Sequence, residues 1–564
     1  MSGLVYEVVW VRAVGLHLGT STPAISLVTA TFMAGLAAGN AWLGRRADHT
    51  SRPLELYARV ELGIGIAGAT VSLLLLRAGS LLDGVSRFAE TLGPAAFAAR
   101  ALVLVSLLIV PTTLMGGTLP VVSRVIVRHG ETGAAIGGIY AWNTFGAVAG
   151  VLLPDFWLIP LHGMTSAVWV AALGNAVVAA SALWMARRND EAASSVSATA
   201  ATSTGPSTST STAVGPLPWL LTATSGFCGM ALEVLFARTL SHWTSALVTS
   251  FAVLIAVYLI TLAVGASLTR RAADRVPNPA ARAAQLLALT GLAVLVELVF
   301  APHWRTFERE LWPRELRRPG LWFEACDALL HATYLEALPC LTMGAAFPFV
   351  ARAFVREGAV GSSTGRLFTI NTLAGTLGSL VAGFVWLAWL GAQRSYFAAS
   401  ALLLLPLMIC SAQDGARSRL VAAGAGALAW LGLILTLPAN HLRLTHFRGG
   451  GRITAVREGA TTIAAAEQRY TFGSPSHMLL LTPGVSMSDT SFGARRYMAM
   501  MAHAAMLSAR EPKRALLICY GVGNTARSLL SHEELQSLDV VDISPEVLSL
   551  AGEFAGAHGG KVPL

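Results

Sequence analysis

Near the end of the chain, Arg514-Ala515-Leu516-Leu517-Ile518-Cys519 reads as a buried strand running into Tyr520-Gly521-Val522-Gly523-Asn524 and then a helix. A second strand, Leu538-Asp539-Val540-Val541-Asp542, ends in an acid. Glycines at a strand-to-helix turn let the backbone approach a ligand closely, and an acid about 20 residues further on can accept both hydroxyls of a ribose. Gly523 and Asp542 are 19 residues apart. Gly521, Gly523 and Asp542 are therefore candidates for holding a nucleoside-bearing ligand. The bland alternative is an α/β turn that binds nothing.

A second set of candidates lies in apolar surroundings. Glu7 and Arg12, in Tyr6-Glu7-Val8-Val9-Trp10-Val11-Arg12, return as Glu233 and Arg238 in Leu232-Glu233-Val234-Leu235-Phe236-Ala237-Arg238. An ionised group at membrane depth costs at least about 2.5 kcal/mol unless it is paired or hydrated. A spacing of five places the acid and the arginine on different faces of a helix, so each is expected to pair with another helix rather than with its neighbour. Two roles are open: a polar pathway for a cation, or latches between helices. Asn143 and Asn371 are expected to hydrogen-bond between helices, and Gly35/Gly39 and Gly146/Gly150 to form close-packing faces.

The elements that position these residues follow from composition and repetition. The chain has 564 residues, 54% hydrophobic and 13% charged, with a mean hydropathy of +0.60. A soluble globule carries about a quarter charged residues, so this is read as a polytopic protein of a bacterial inner membrane, with the lipid bilayer as its first partner. The chain also repeats itself. Phe32, Gly39, Arg45 and Asp48 find Tyr258, Gly265, Arg271 and Asp274 at the offset of Glu7 from Glu233, and PTTLMGGTLPVVSRVIVRHG (111–130) returns as PCLTMGAAFPFVARAFVREG (339–358). Runs long enough to span a bilayer, about 20 residues, lie near 23–44, 57–77, 97–121, 133–159 and 164–186. In the second copy they lie near 217–240, 246–268, 281–301, 328–352, 362–389 and 394–411, with an extra run near 419–437. Residues 3–18 would be a shortened first span.

The expected architecture is thus mostly α, with polytopic membrane helices in two parallel six-span repeats. A truncated C-terminal α/β, Rossmann-like domain with a small β subdomain follows. The divisions are membrane repeat 1 (1–188), a flexible Ser/Thr/Ala-rich linker (189–215), membrane repeat 2 (216–411), an extra span and connector (412–445), a small β subdomain with its helix (446–510) and a partial nucleoside-binding domain (511–564). Arginines cluster in alternate loops, after the second, fourth, sixth, eighth and tenth spans, which the positive-inside rule assigns to the cytoplasm. The net charge of +9 is therefore loop topology and not nucleic-acid binding, since no basic stripe is interleaved with aromatics. Counting from those loops puts the C-terminal domain outside. Residues 302–325, with Trp304, Glu308 and Trp312, suit either an interfacial helix or a plain exposed loop. Cys228, Cys326, Cys340, Cys410 and Cys519 show no pair spacing, so neither disulfides nor a zinc site is expected, and no metal is assigned.

Beyond the last span the pattern turns extended. Strands are expected at 461–467 and 477–482 with turns at Gly473-Ser474-Pro475 and Pro483-Gly484, then a helix at 493–509.

Two parallel repeats joined by a linker resemble the major facilitator superfamily, as does the loop Gly44-Arg45-Arg46-Ala47-Asp48-His49-Thr50-Ser51-Arg52. At the other end, Val456-Arg457-Glu458-Gly459-Ala460-Thr461-Thr462, the run from Pro512 to Gly523 and Val540-Val541-Asp542-Ile543-Ser544-Pro545-Glu546-Val547 resemble the spermidine synthase family. SGLVYEVVW, FMAGLAAG and IYAWNTFGAVAG are similar to its membrane-fused branch, in which a major-facilitator-like region precedes a spermidine-synthase-like domain. The resemblance implies aminopropyl transfer from decarboxylated S-adenosylmethionine, as co-substrate rather than tightly bound cofactor, to a polyamine. It implies Gly521 and Gly523 as the nucleoside loop, Asp542 on the ribose, and Tyr497 and Asp489 on the polyamine side.

Cys519, Tyr520 and Val522 stand where the family has two glycines and an aspartate, Met487 where it has a glutamine, and Met498-Ala499 after Tyr497 where it completes a Tyr-x-Glu. The family's catalytic aspartate lies on a later strand, so no catalytic residue is assigned and the enzyme is expected to be incomplete or inactive in this chain. Met1 reads as starting inside a helix, so the beginning of the protein is expected to lie further upstream. Two other classes stay open: a major-facilitator-like transporter of polyamine or another cation, and a nucleoside-sensing pseudoenzyme.

Overall fold

The computed structural model describes residues 1–18, 22–77, 96–127, 131–196, 215–244, 248–311, 320–356, 359–414, 417–438, 441–445, 451–459, 463–482 and 485–563. Long apolar helices come first: α1 (Ser2–Leu18), α2 (Thr22–His49), α3 (Pro53–Arg77), α4 (Ala96–Gly116) and α5 (Thr118–Ile126). The last two form one path broken at Gly117, shortly before Pro120, whose ring removes an amide donor. α6 (Thr132–Leu153) passes through a π-helical turn at Pro154–Leu158 into α7 (Ile159–Val196). The chain reverses at Gly163, where φ is 77°.

α8 (Pro216–Trp243), α9 (Val248–Ala273), α10 (Pro279–Leu311), α11 (Leu321–Phe354) and α12 (Val360–Leu380) follow. A second π turn, Val381–Trp386, and the short α13 (Leu387–Trp389) lead to α14 (Gly391–Asp414), again over a left-handed glycine, Gly391 at φ 74°. Only glycine takes that backbone conformation without strain. α15 (Arg417–Thr436) and α16 (His441–Thr445) complete the helical part. Among the described residues, nine helices are long and apolar enough to cross a membrane. Two cores hold them, one around Trp10 and Val9 and a larger one around Phe236 and Trp243.

Two carboxylates tie these cores together. Asp48, at the end of α2, accepts from the amides of Gly361 and Ser362 at the start of α12, both at 2.7 Å. Asp274, just past α9, accepts from Gly133 and Ala134 at the start of α6, again both at 2.7 Å. Each supplies negative charge to the positive end of a helix and satisfies amides that have no intrahelical partner. The two residues occupy matching positions in the two sequence copies, and each clamp crosses from one copy to the other. Arg352 Nε lies 3.4 Å from Asp274. The clamps sit among the arginine-rich loops.

α12 runs from that clamped end to the opposite end, where Gly391 turns it back. There the C-terminal domain docks. Glu458 Oε1 accepts from the Ala392 amide at 2.6 Å, and Arg238 Nη2 donates to the Gly459 carbonyl at 2.8 Å. The domain and the arginine loops are therefore at opposite ends of the helices.

The domain begins with an antiparallel meander, β1 (Arg452–Glu458), β2 (Ile463–Thr471), β3 (Ser474–Thr482) and β4 (Val485–Asp489), paired in sequence order. The β2–β3 turn is Phe472-Gly473, both at positive φ, so Ser474 and Pro475 belong to β3 and not to the expected turn. β1 and β4 were not expected from the sequence, and Pro483-Gly484 lies outside the described residues. α17 (Phe492–Ser508) is capped by Ser491. It covers one face of the parallel pair β5 (Arg514–Ile518) and β6 (Ser537–Val541), which flank α18 (Asn524–Leu529). Leu516, Ile518 and Val541 on the other face, with Ile543 just beyond β6, are exposed. α19 (Pro545–Ser549) and a 3-10 turn at Ala551–His558 follow.

Three expectations need correcting. Residues 302–311 continue α10 rather than forming a separate interfacial helix, and Glu308 is fully buried. Asn143 is exposed; a buried amide that does bond between helices is Asn175, which donates to Glu61 at 2.7 Å. α7 extends to Val196, inside the segment read as linker. The close-packing face at Gly39 is as expected, since a Cβ there would land on the Thr113 carbonyl of α4.

Asp48→Ala and Asp274→Ala should each lower the stability of the detergent-solubilised protein by about 1–3 kcal/mol. Because the clamps share no partner, the double variant should show nearly the sum. Chemical unfolding of the three variants beside the parent measures this.

Candidate functional site

The turn between β5 and α18 is built from left-handed residues. Gly521 has φ 59° and Gly523 φ 85°, with Cys519 at φ 70° before them. Gly523 caps α18, and a Cβ on it would meet Tyr520 Oη at 2.7 Å and Pro563 at 2.9 Å. Glycine there is thus required by both conformation and space. The turn brings backbone to the C-terminal ends of two parallel strands, where open α/β sheets bind ligands.

Asp542 stands at the end of β6 directly beside it. Its Oδ2 accepts from the Tyr520 amide at 2.8 Å and its Oδ1 from the Ser544 amide at 2.9 Å. The carboxylate therefore braces the glycine turn against β6. A carboxylate offers about four acceptor positions, so each oxygen keeps a lone pair for a ribose hydroxyl.

Asp489 is brought to the same place from the meander. Its carbonyl accepts from Asn524 Nδ2 at 2.9 Å, while its side chain accepts from the Ser491 amide at 2.8 Å and so helps start α17. Ser488 lies next to Gly521, where an added Cβ would meet its Oγ at 3.1 Å. Tyr497 is not drawn in. It is exposed on α17, and its neighbour Met498 is the one that turns toward the loop, with Sδ 3.3 Å from Asn524 Nδ2.

Sequence reasoning missed Asn524, Ser488 and Met498. Asn524 could have been found, since it directly follows the second glycine. The others need the packing of β4 and α17 to become visible. Among the described residues, Tyr520 Oη and Asn524 Oδ1 are buried without a hydrogen-bond partner, and both flank Gly523. A buried polar atom without a partner is costly, so the two mark where a ligand's polar groups would be welcome.

The membrane candidates divide. Arg12 pairs with Asp155 at 2.5 Å, joining α1 to the π turn after α6. Arg238 is at the end of α8 and holds the C-terminal domain, with Glu458 and Glu546 supplying nearby opposite charge. Both arginines are thus latches. Glu7 and Glu233 are half-buried, at matching positions of the two sequence copies. Glu336, missed in the sequence, is fully buried on α11 within range of Glu233, and neither of its carboxylate oxygens has a partner among the described residues.

Residues 494–560 match the spermine/spermidine synthase domain. The polyamine aminopropyltransferase of Pyrococcus abyssi is 38% identical over 68 residues, 12% of this chain and 24% of that protein. The polyamine aminopropyltransferase of Prochlorococcus marinus is 30% identical over 67 residues, 12% of this chain and 23% of that protein. The chain thus spans about a quarter of the length of these curated relatives. Among solved structures, a bacterial homologue of the iron transporter ferroportin in an outward-facing state aligns with a TM-score of 0.44 and 13% identity over 72% of this chain and 94% of the other. The human organic anion transporter MFSD10 (TETRAN) aligns with a TM-score of 0.38 and 18% identity over 72% and 96%.

The loop also carries a pH-sensitive support. His558 is buried and its Nε2–H donates to the Val522 carbonyl at 2.7 Å. Burial first, and then Arg527 and Arg495, push its pKa below the ordinary value, against the opposing pull of the Val522 bond. The fold thus holds the neutral ring. Above about pH 6.5 the ring is neutral in both states and costs nothing; below it the unfolded chain gains a proton that the fold resists. Hydrogen exchange in the 519–530 loop of the full chain should therefore accelerate as pH falls from about 6.5 to 5, after correction for the intrinsic rate. His558→Gln should flatten that dependence.

Proposed function

We propose that this protein is a membrane-bound, spermidine-synthase-like protein. In this reading its C-terminal domain binds a decarboxylated S-adenosylmethionine-type nucleoside at Gly521, Gly523 and Asp542, as the donor side of aminopropyl transfer to a polyamine. One observation carries it: within the residues that match the synthase domain, the left-handed turn and Asp542 are locked together at the C-terminal ends of the parallel strands. The Asp542 lone pairs and the unpartnered Tyr520 and Asn524 atoms are what a ribose and its base would engage.

Full-length protein in detergent should bind 5′-methylthioadenosine or decarboxylated S-adenosylmethionine more tightly than S-adenosylmethionine, as read by calorimetry. Asp542→Ala should weaken binding by at least about tenfold, the loss of one charge-assisted contact. Equal affinity for the two S-adenosylmethionine forms would point instead to a methyltransferase-type ligand, and no binding of any would remove the reading. Transfer itself is assayed with putrescine as acceptor.

Sidedness bears on the same reading. The domain is at the end of the bundle opposite the arginine loops, which the positive-inside rule assigns to the cytoplasm. Alkaline phosphatase fused after residue 445 reads the side directly. A cytoplasmic result would reverse the membrane orientation. An external one would favour sensing of an outside nucleoside over biosynthesis.

A second reading, that the bundle moves a polyamine or another cation, is favoured by the half-buried acids Glu7 and Glu233 at matching positions of the two copies. Glu7→Gln and Glu233→Gln should then abolish flux into vesicles, and unchanged flux would end that reading.

A further inference from the structure

A carboxylate buried inside a helical bundle has to be balanced, and on α11 one such group is left open. Glu336 is fully buried, and both of its oxygens lack a hydrogen-bond partner among the described residues. An acceptor buried in that state is destabilising, and more so when charged, so a ligand that satisfied it would be held firmly. We infer that Glu336, with Glu233 and Glu297, forms a binding site for a primary ammonium cation among the helices of the second copy.

Helix geometry brings the three acids to one level. A Cβ on Gly229 of α8 would meet Met343 Sδ of α11 at 3.4 Å and Tyr258 Oη of α9 at 3.2 Å, so three helices touch there. Glu233 is one turn beyond Gly229 and Glu336 two turns before Met343, each on the contacting face. Because α8 and α11 run in opposite directions, both displacements lead toward the C-terminal domain, by about 6 Å and about 10 Å along the helices. On α10, Thr290 Oγ1 lies 2.8 Å from Thr342 Oγ1 of α11. Glu297, two turns beyond Thr290, and Glu336, six residues before Thr342, are therefore within about 2 Å of one height. Tyr334 Oη fastens α11 to α10 there by donating to the Glu297 carbonyl at 2.6 Å.

The titratable groups within range of Glu336 are all acids. They are Glu233 from α8, Tyr258 from α9, Glu297 from α10, Tyr396 from α14 and Cys340 one turn further along α11. Tyr140 of α6, stacked on Phe347, stands behind Cys340. The nearest bases along these helices are engaged or turned away. Arg238 holds the Gly459 carbonyl, His331 is five residues before Glu336 and so on another face of α11, and Arg366 of α12 is exposed.

The number of acceptors selects the ligand. A primary ammonium carries three N–H donors and no acceptor, so it can meet carboxylates from three helices at once through charge-assisted bonds. Leu232, Leu235 and Met343 in the surrounding core suit the alkyl chain behind the charge. Calcium would instead need about six to eight oxygens. Glu233 and Glu297 are only half-buried, so the site is not sealed. The inference deepens the cation reading above by giving it a site and a ligand class, but binding requires no flux, and neither depends on the nucleoside reading.

Full-length protein in detergent, near neutral pH where an alkylamine is charged, is titrated with butylamine by calorimetry. Binding should saturate, and Glu336→Gln should weaken it by at least about tenfold. Absence of saturation, or an unchanged affinity in the variant, overturns the site. Sodium or potassium ions competing as well as butylamine would mark an inorganic-cation site and overturn the ammonium one. Should the variant not fold, a hydrophobic carbodiimide added to the parent protein with butylamine should trap the bound amine as an amide on Glu336. Mass spectrometry should show that adduct saturating with butylamine; its absence, or growth without saturation, also overturns the inference.

Discussion

Helix ends inside a membrane protein must satisfy amides that water cannot reach, and two aspartates meet that demand. Asp48 closes the start of α12 and Asp274 the start of α6, each with both oxygens. Since each clamp joins one sequence copy to the other, the arginine-rich end is held by four charge-assisted bonds whose strength does not depend on apolar area. Everything placed along α6 and α12, including both π turns and the reversals at Gly163 and Gly391, is positioned from that end.

The opposite end is arranged differently. There the arginines act as fasteners, Arg12 on Asp155 within the first copy and Arg238 on the Gly459 carbonyl of the C-terminal domain. Glu458 completes the second contact by capping the amide at the start of α14. The domain is thus fixed to the second copy through β1 and the residue after it. Any change in how α8 and α14 sit would pass directly into the meander, whose last strand carries Ser488 and Asp489 beside the glycine turn.

Within the domain one carboxylate has two structural duties. Asp542 joins the β5–α18 turn to the start of α19 while keeping acceptor capacity free. Position and spare acceptor capacity are therefore built into the same group. The exposed apolar side of β5 and β6 contrasts with the usual parallel sheet, which is covered on both faces, while the side turned to α17 and α18 is packed.

Much of this was readable along the chain. Apolar runs placed the spans, and the strand, glycine and acid pattern placed the turn at Gly521 and Gly523 and Asp542 at the end of the next strand, because those signals are local and periodic. Other features were not. The spacing of Glu7 and Arg12 said only that they face different ways, and it took the packing to give Arg12 to Asp155 and Arg238 to a loop 221 residues away. Tyr497 looked like a site residue from its position in a motif, but the rotation of α17 turned Met498 inward instead. Glu308, Asp327 and His331, spread over two helices, come together only when α10 folds back on α11. Sequence determines which face of each helix is apolar and where a turn needs glycine; which faces meet depends on contacts between distant segments, and only the tertiary structure supplies those.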